Sequence, residues 1–302
     1  MALSKLLRSH LMMLMFISLT VIFLSCQKQS DTPSLEGSGV VNSADDVPIH
    51  YQVAGTGRPA LVFVHCWCCD QSFWDAQVPY FSEKHTVVTI DLAGHGESPA
   101  DRETWTIPAF GLDVVAVVEK LDLKQVVLIG HSMGGPVSLE ATRHMPERVI
   151  GLVGVDNFQD MGQQWHQEDF ETFLGTLKAD FQGTTRNFVG SMFPPAADSA
   201  LVERVLADLA SAPAEVGIGA MEAYYKWFRD DFERVVAEID VPLHCISADL
   251  WPTNVEGNRK YFPSFDISVM PGRGHFLHME DPETFNRLLE EVVAKFTSAS
   301  SD

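Results

Sequence analysis

Basic residues are scarce in this chain: 21 lysines and arginines stand against 41 aspartates and glutamates, a formal net charge of −20 over 302 residues. That imbalance argues against nucleic acid and anionic membrane surfaces as partners, because the protein repels both. Cysteine is scarce as well, with five in all (Cys26, Cys66, Cys68, Cys69 and Cys245). Three of them fall within four residues, so neither a disulfide framework nor the spaced pairs of a zinc site is expected. Cys68 and Cys69 read instead as small apolar packing residues. Internal repeats and low-complexity core segments are missing. Also missing is a comfortable membrane span, since the uncharged apolar run from Leu11 to Leu24 is shorter than the roughly 20 residues a bilayer requires.

That run does have a meaning. Lys5 and Arg8 precede it and Leu24-Ser25-Cys26 ends it, giving a basic region, an apolar region and a small residue before a cut. The ending resembles a bacterial lipoprotein signal, which implies a signal peptide over 1–26, lipidation of Cys26 and an exported protein anchored in a membrane. Residues 27–36, rich in Ser, Asp, Gln and Pro, read as a flexible tether. The remaining stretch, 37–298, suits one domain with a large core.

Within it, the apolar run Val126-Val-Leu-Ile129 enters Gly130-His-Ser-Met-Gly134. A Gly-x-Ser-x-Gly sequence between a strand and a helix makes a sharp turn that projects the serine hydroxyl into a cleft, and glycine keeps a β-carbon out of the bend. Ser132 is therefore the candidate nucleophile. It needs a base, and the base needs an orienting acid. His275 follows a strand-like run and a glycine-bearing loop and precedes a helix opened by Asp281-Pro282. It is the candidate base, while His278 reads as a surface histidine. For the acid, Asp249 ends the strand-like Val241–Ala248 and is the first choice. Asp156, at the end of Val149–Val155, is read as a strand-end cap; Asn254 and Glu256 are the other rivals.

With Val62-Phe-Val-His65 and Asp91-Leu-Ala-Gly-His-Gly-Glu-Ser98 in front of these motifs, the chain from about Glu36 to Phe296 resembles the α/β-hydrolase superfamily, near its small esterase and lactonase-like members. The resemblance implies a mostly parallel sheet with helices on both faces, a Ser-His-Asp triad and no cofactor. It implies oxyanion donors at the backbone N–H groups of Trp67 and Met133, with His65, Cys66, Trp67 and His131 around the substrate. Relatives carry glycine where this chain has Cys66, so the fold is safe but the rate is open to change. The loop Asp91–Ser98 is expected to be structural.

Alternating strands and helices stop after Asn157. Helix-like stretches at Phe170–Leu177, Ser199–Leu209 and Val216–Phe232, with breaks at Gly183, Pro194-Pro195 and Pro213, read as a helical cap over about 157–236. Its aromatic and Met content suits packing against the core and an apolar pocket. The expected activity is cleavage of small to medium, partly apolar esters or lactones through an acyl-enzyme. A carbon–carbon hydrolase, a cofactor-free haloperoxidase and a surface-bound, non-catalytic binding protein on the same fold are the alternatives.

Overall fold

The structure, a computed structural model, describes residues 37–163 and 166–299. The expected signal segment 1–26, Cys26 and the tether 27–36 lie outside the described residues. The chain runs through β1 (Gly37–Asn42), β2 (Pro48–Ala54), β3 (Ala60–Val64), a short 3-10 turn (Gln71–Trp74), α1 (Val78–Phe81), β4 (Val87–Ile90), α2 (Ile107–Lys120), β5 (Val126–His131), α3 (Gly134–His144) and β6 (Val149–Val155). Five helices follow: α4 (Gln167–Ala179), α5 (Phe181–Gly190), α6 (Ser199–Ala210), α7 (Ala214–Asp230) and α8 (Phe232–Val236). Then come β7 (Leu243–Ala248), α9 (Val255–Asn258), β8 (Asp266–Met270), α10 (Leu277–Glu280) and α11 (Pro282–Ala299).

The strands form one eight-stranded sheet in the order β1-β2-β4-β3-β5-β6-β7-β8. β1, β2 and β4 pair antiparallel, and every pair from β4 onward is parallel. The central strands are apolar on both sides because helices cover both faces. Leu61 and Phe63 of β3, with Val127 and Ile129 of β5, face a core completed by Trp74, Phe81 and the α11 residues Phe285, Leu289 and Val292. Their neighbours Val62, Val64 and Leu128 face the opposite core, with Phe110, Val114 and Val118 of α2 and Val137 of α3. The two-residue alternation of a strand assigns each side chain to its layer.

Between β3 and β4 the chain forms two short helical pieces instead of one continuous helix. Asp70 caps the 3-10 turn by accepting from the Ser72 N–H at 2.8 Å, and α1 starts anew around Pro79, which lacks the N–H that would continue a helix. Gly183, expected to break the cap, sits inside α5. There Asp180 accepts its N–H at 2.9 Å, so the glycine occupies a first turn where no intrahelical partner is required. Among the described residues, no helix is long and apolar enough to cross a membrane.

Candidate active site

Adjacent parallel strands β5 and β6 end side by side and deliver Ser132 and Asp156. Ser132 has φ +52° and Asp156 φ +43°, a left-handed backbone that non-glycine residues adopt only where surroundings impose it. Around Ser132 the constraints are visible. Its N–H donates to the Val155 carbonyl at 3.1 Å, and the Gly135 N–H donates back to the Ser132 carbonyl at 2.9 Å. The Asn157 amide nitrogen donates to the Gly130 carbonyl at 2.8 Å and to that of Ser132 at 3.2 Å. A β-carbon on Gly130 would lie 2.2 Å from the Gly134 carbonyl oxygen, and one on Gly134 would lie 2.4 Å from that of Val64. Both glycines are required by close backbone approach.

His275 is anchored at three points. Its N–H donates to the Met192 carbonyl of the cap at 2.9 Å, and its own carbonyl accepts from His131 Nε2 at 2.9 Å. Its Nδ1 donates to Asp156 Oδ2 at 2.7 Å. The other Asp156 oxygen accepts the Ala248 N–H at 2.9 Å, so the carboxylate is held on both sides. With Nδ1 engaged, Nε2 is the imidazole nitrogen left for a hydroxyl. The assignment of Asp249 is thereby corrected. Asp249 is exposed, and its Oδ1 accepts the Gly272 N–H at 2.7 Å; it bends the loop that carries His275 instead of facing the imidazole. The carboxylate that meets the imidazole lies one strand earlier, beside the serine.

Three histidines also depart from expectation. His65 does not line the cavity that holds Ser132. Its Nε2 accepts the Leu92 N–H at 3.0 Å, which puts the ring proton on Nδ1, and that nitrogen donates to the Cys66 carbonyl at 2.7 Å. Burial lowers its pKa, which keeps this neutral tautomer. His131 is likewise fully buried behind the site, with its pKa pushed well down by burial and by His278 and His275. His278 is no surface residue: it is completely buried, its ring centroid 4.5 Å from that of Trp74. Within the loop Asp91–Ser98, Asp91 accepts from Gln71 and from the Glu97 N–H.

Beside the serine turn, Cys66 and Cys69 form a disulfide, which corrects the reading of Cys69 as a lone packing residue. Cys68 and Cys245 are free and buried. Trp67, between the bonded pair, donates its indole N–H to the Gly217 carbonyl of α7 at 2.7 Å.

Cys66, Trp67, Ser132, Met133, Asp156 and His275 share a cavity of about 260 Å³, closed by the cap residues Phe188, Met192, Leu209, Met221 and Tyr224. A larger chamber of about 680 Å³ adjoins it and shares Gln159, Met221, Tyr224 and Trp251 as a common wall. Its sides are aromatic: Phe170 and Tyr225 stack at 3.8 Å with ring planes 6° apart. Asn157, Met192 and Trp251 were not singled out as site residues by sequence reasoning. Trp251, whose ring centroid is 5.9 Å from that of His275, lies in the loop after β7, and no local sequence signal marked it. Among the described residues, no group of acidic, Cys or His side chains could hold a metal.

Residues 61–288 match the family model described as "Alpha/beta hydrolase family". Among curated proteins, the chain is 26% identical over 262 residues to 3-oxoadipate enol-lactonase 2 of Acinetobacter baylyi, covering 84% of this chain and 96% of that one. Among solved structures, it is similar to a thermophilic esterase from Thermogutta terrifontis, with TM-score 0.75, 21% identity and coverage of 86% and 99%. A bromoperoxidase from Bacillus anthracis gives TM-score 0.75, 21% identity and coverage of 86% and 100%. At such identities the structural likeness speaks for the fold.

Proposed function

Because the chain belongs to the alpha/beta hydrolase family, we propose that it cleaves carboxylic esters or lactones through an acyl-enzyme on Ser132. The observation that carries this reading is the 2.7 Å pair of His275 and Asp156, which shares one cavity with a serine held at φ +52°. His275 Nε2 takes the Ser132 proton as the hydroxyl attacks the carbonyl carbon. The backbone N–H groups of Trp67 and Met133 stabilise the oxyanion, and His275 returns the proton to the departing alkoxide. Water, deprotonated by the same imidazole, then releases the acid. Asp156 stays ionised throughout, holding the tautomer and stabilising the imidazolium.

The two chambers support a substrate in two unequal parts. The smaller one beside Ser132 suits a short acyl group, and the aromatic-walled larger one suits a bulky apolar alcohol portion. Cys26 is proposed to carry a lipid anchor; loss of metabolic lipid labelling in Cys26→Ser tests that separately.

A fluorophosphonate probe followed by peptide mass spectrometry tests the chemistry. The wild-type protein is expected to be modified at Ser132, with Ser132→Ala unlabelled. Naphthyl acetate should turn over faster than naphthyl esters of long acyl chains. A wild-type protein that neither takes the probe nor hydrolyses any ester or lactone overturns the proposal.

A further inference from the structure

We infer that the Cys66–Cys69 disulfide is a positioning device for the Trp67 N–H, and that a dithiol able to enter the cavity switches catalysis down by cleaving it. The inference rests on the acyl-transfer reading above, since it concerns the oxyanion donor of that reaction.

Three observations and one general argument carry it. The bonded pair spans a single turn, with the Cys69 N–H donating to the Cys66 carbonyl at 3.2 Å and Cα atoms 5.2 Å apart, inside the ordinary range for a bridge. Trp67 and Cys68 are the two residues enclosed, and Cys68 takes φ +57°, a conformation a residue with a β-carbon holds only when constrained. Closing so short a loop removes little entropy from the unfolded chain compared with a long one, so the bridge acts chiefly on local geometry. Finally, both cysteines are buried, each 2% exposed, but only Cys66 lines the cavity with Ser132 and His275, so the bridge meets the reaction chamber at that end.

A glycine at position 66 would leave the turn free to relax. Cys66 instead fixes the turn covalently on one side of Trp67, while the indole bond to the Gly217 carbonyl fixes it to the cap on the other. The thiolate of a small dithiol attacks Cys66 Sγ, forming a mixed disulfide and releasing the Cys69 thiolate, which is protonated. The second thiol of the reagent then displaces Cys66 as a thiol and leaves as a cyclic disulfide. Two electrons pass from reagent to bridge, and an added oxidised dithiol reverses the step. In the reduced protein Cys68 loses the restraint that favours its left-handed backbone, and the Trp67 N–H moves off the oxyanion position.

The test uses the full chain, oxidised and after dithiothreitol, with alkylation counted by mass. Reduction is expected to add two alkylated cysteines in the 66–69 segment and to speed amide hydrogen exchange there. It should lower kcat for a naphthyl ester by about 10- to 100-fold, part of what loss of an oxyanion donor costs, with KM within about threefold and the pH profile of kcat unmoved. Cys66→Gly and Cys69→Ser should no longer respond to the reagent. Two alkylated cysteines with unchanged kcat and unchanged exchange overturn the inference, as does a protein in which 66 and 69 are free thiols before any reductant is added. Faster exchange on reduction in a protein that never takes the fluorophosphonate probe leaves the restraint standing and removes the acyl-transfer reading instead.

Discussion

Trp227 of α7 donates its indole N–H to the buried carboxylate of Glu140 on α3 at 2.7 Å, tying the cap to the helix that begins beside Ser132. The second carboxylate oxygen accepts from Arg143 Nε and Nη2 at 3.0 and 2.9 Å. Both Trp227 and Glu140 are fully buried. Trp227→Phe keeps most of the apolar contact but leaves one buried carboxylate oxygen without its donor, so a loss of about 1–3 kcal/mol is expected in urea unfolding. A change below about 0.5 kcal/mol would mean that the bond does not hold the cap.

Asp156→Asn should lower kcat by about 10³- to 10⁴-fold while the protein still folds, because an amide beside Nδ1 favours the wrong imidazole tautomer. Asp249→Asn, at an exposed loop carboxylate, should leave kcat within about threefold. Ester turnover by the two variants, measured side by side, decides between them; the reverse ranking returns the acid to Asp249.

Acid should destabilise the fold through histidine. Burial pushes His95 and His278 down to about 3, whereas an unfolded histidine titrates near 6.5. The unfolded chain therefore binds more protons between these values. The stability in question is present above pH about 6.5 and is lost as pH falls toward 3, at about 2 kcal/mol per histidine by pH 5. Asp91, Asp113 and Glu280, raised by burial, act with the opposite sign, so the contribution of one histidine is read from a variant. His278→Phe should lose less stability than wild type between pH 7 and pH 5; parallel curves would refute the assignment.

Arg102 closes a buried ion cluster, its Nη2 2.6 Å from Asp113 Oδ1 and its Nε 2.7 Å from Asp45 Oδ2. Asp113 also accepts from the Ser43 hydroxyl and the Ala93 N–H, joining the opening hairpin to the loop after β4. Removing the guanidinium leaves a fully buried carboxylate without its cation. Arg102→Met should cost about 3–5 kcal/mol by chemical denaturation, and Arg102→Met with Asp113→Asn should recover part of it. A neutral single variant would show the cluster to be irrelevant to stability.

Gly134→Ala tests the serine turn directly. The added β-carbon would sit 2.4 Å from the Val64 carbonyl oxygen and 2.9 Å from that of His65, so β3 and α3 must separate. A fall in Ser132 labelling rate of more than about tenfold is expected, out of proportion to any drop in unfolding midpoint, because the elbow loses its geometry before the core loses its packing. Normal labelling would show that the turn tolerates the strain.

Much of the architecture was readable because strands and helices announce themselves locally. The strand Ala60–Val64 and the helix α2 are each marked by an apolar pattern and, for α2, by a capping Thr106. Less legible was α5, since Phe181–Gly190 contains two glycines and two threonines and is stabilised by what it packs against. The choice between Asp249 and Asp156 was not legible either, because both end apolar strands between Ser132 and His275 and nothing local tells them apart.

The sequence by itself determined the alternation of elements, the sharp turn at Ser132 and the flexible-looking glycine loop before His275, all consequences of short-range backbone sterics and side-chain periodicity. Tertiary structure alone decided which carboxylate meets the imidazole, which histidines are buried and which two cysteines join. Those outcomes depend on the order in which strands lie in the sheet and on distances between residues more than a hundred positions apart, or, for Cys66 and Cys69, on a turn held in place by the cap above it.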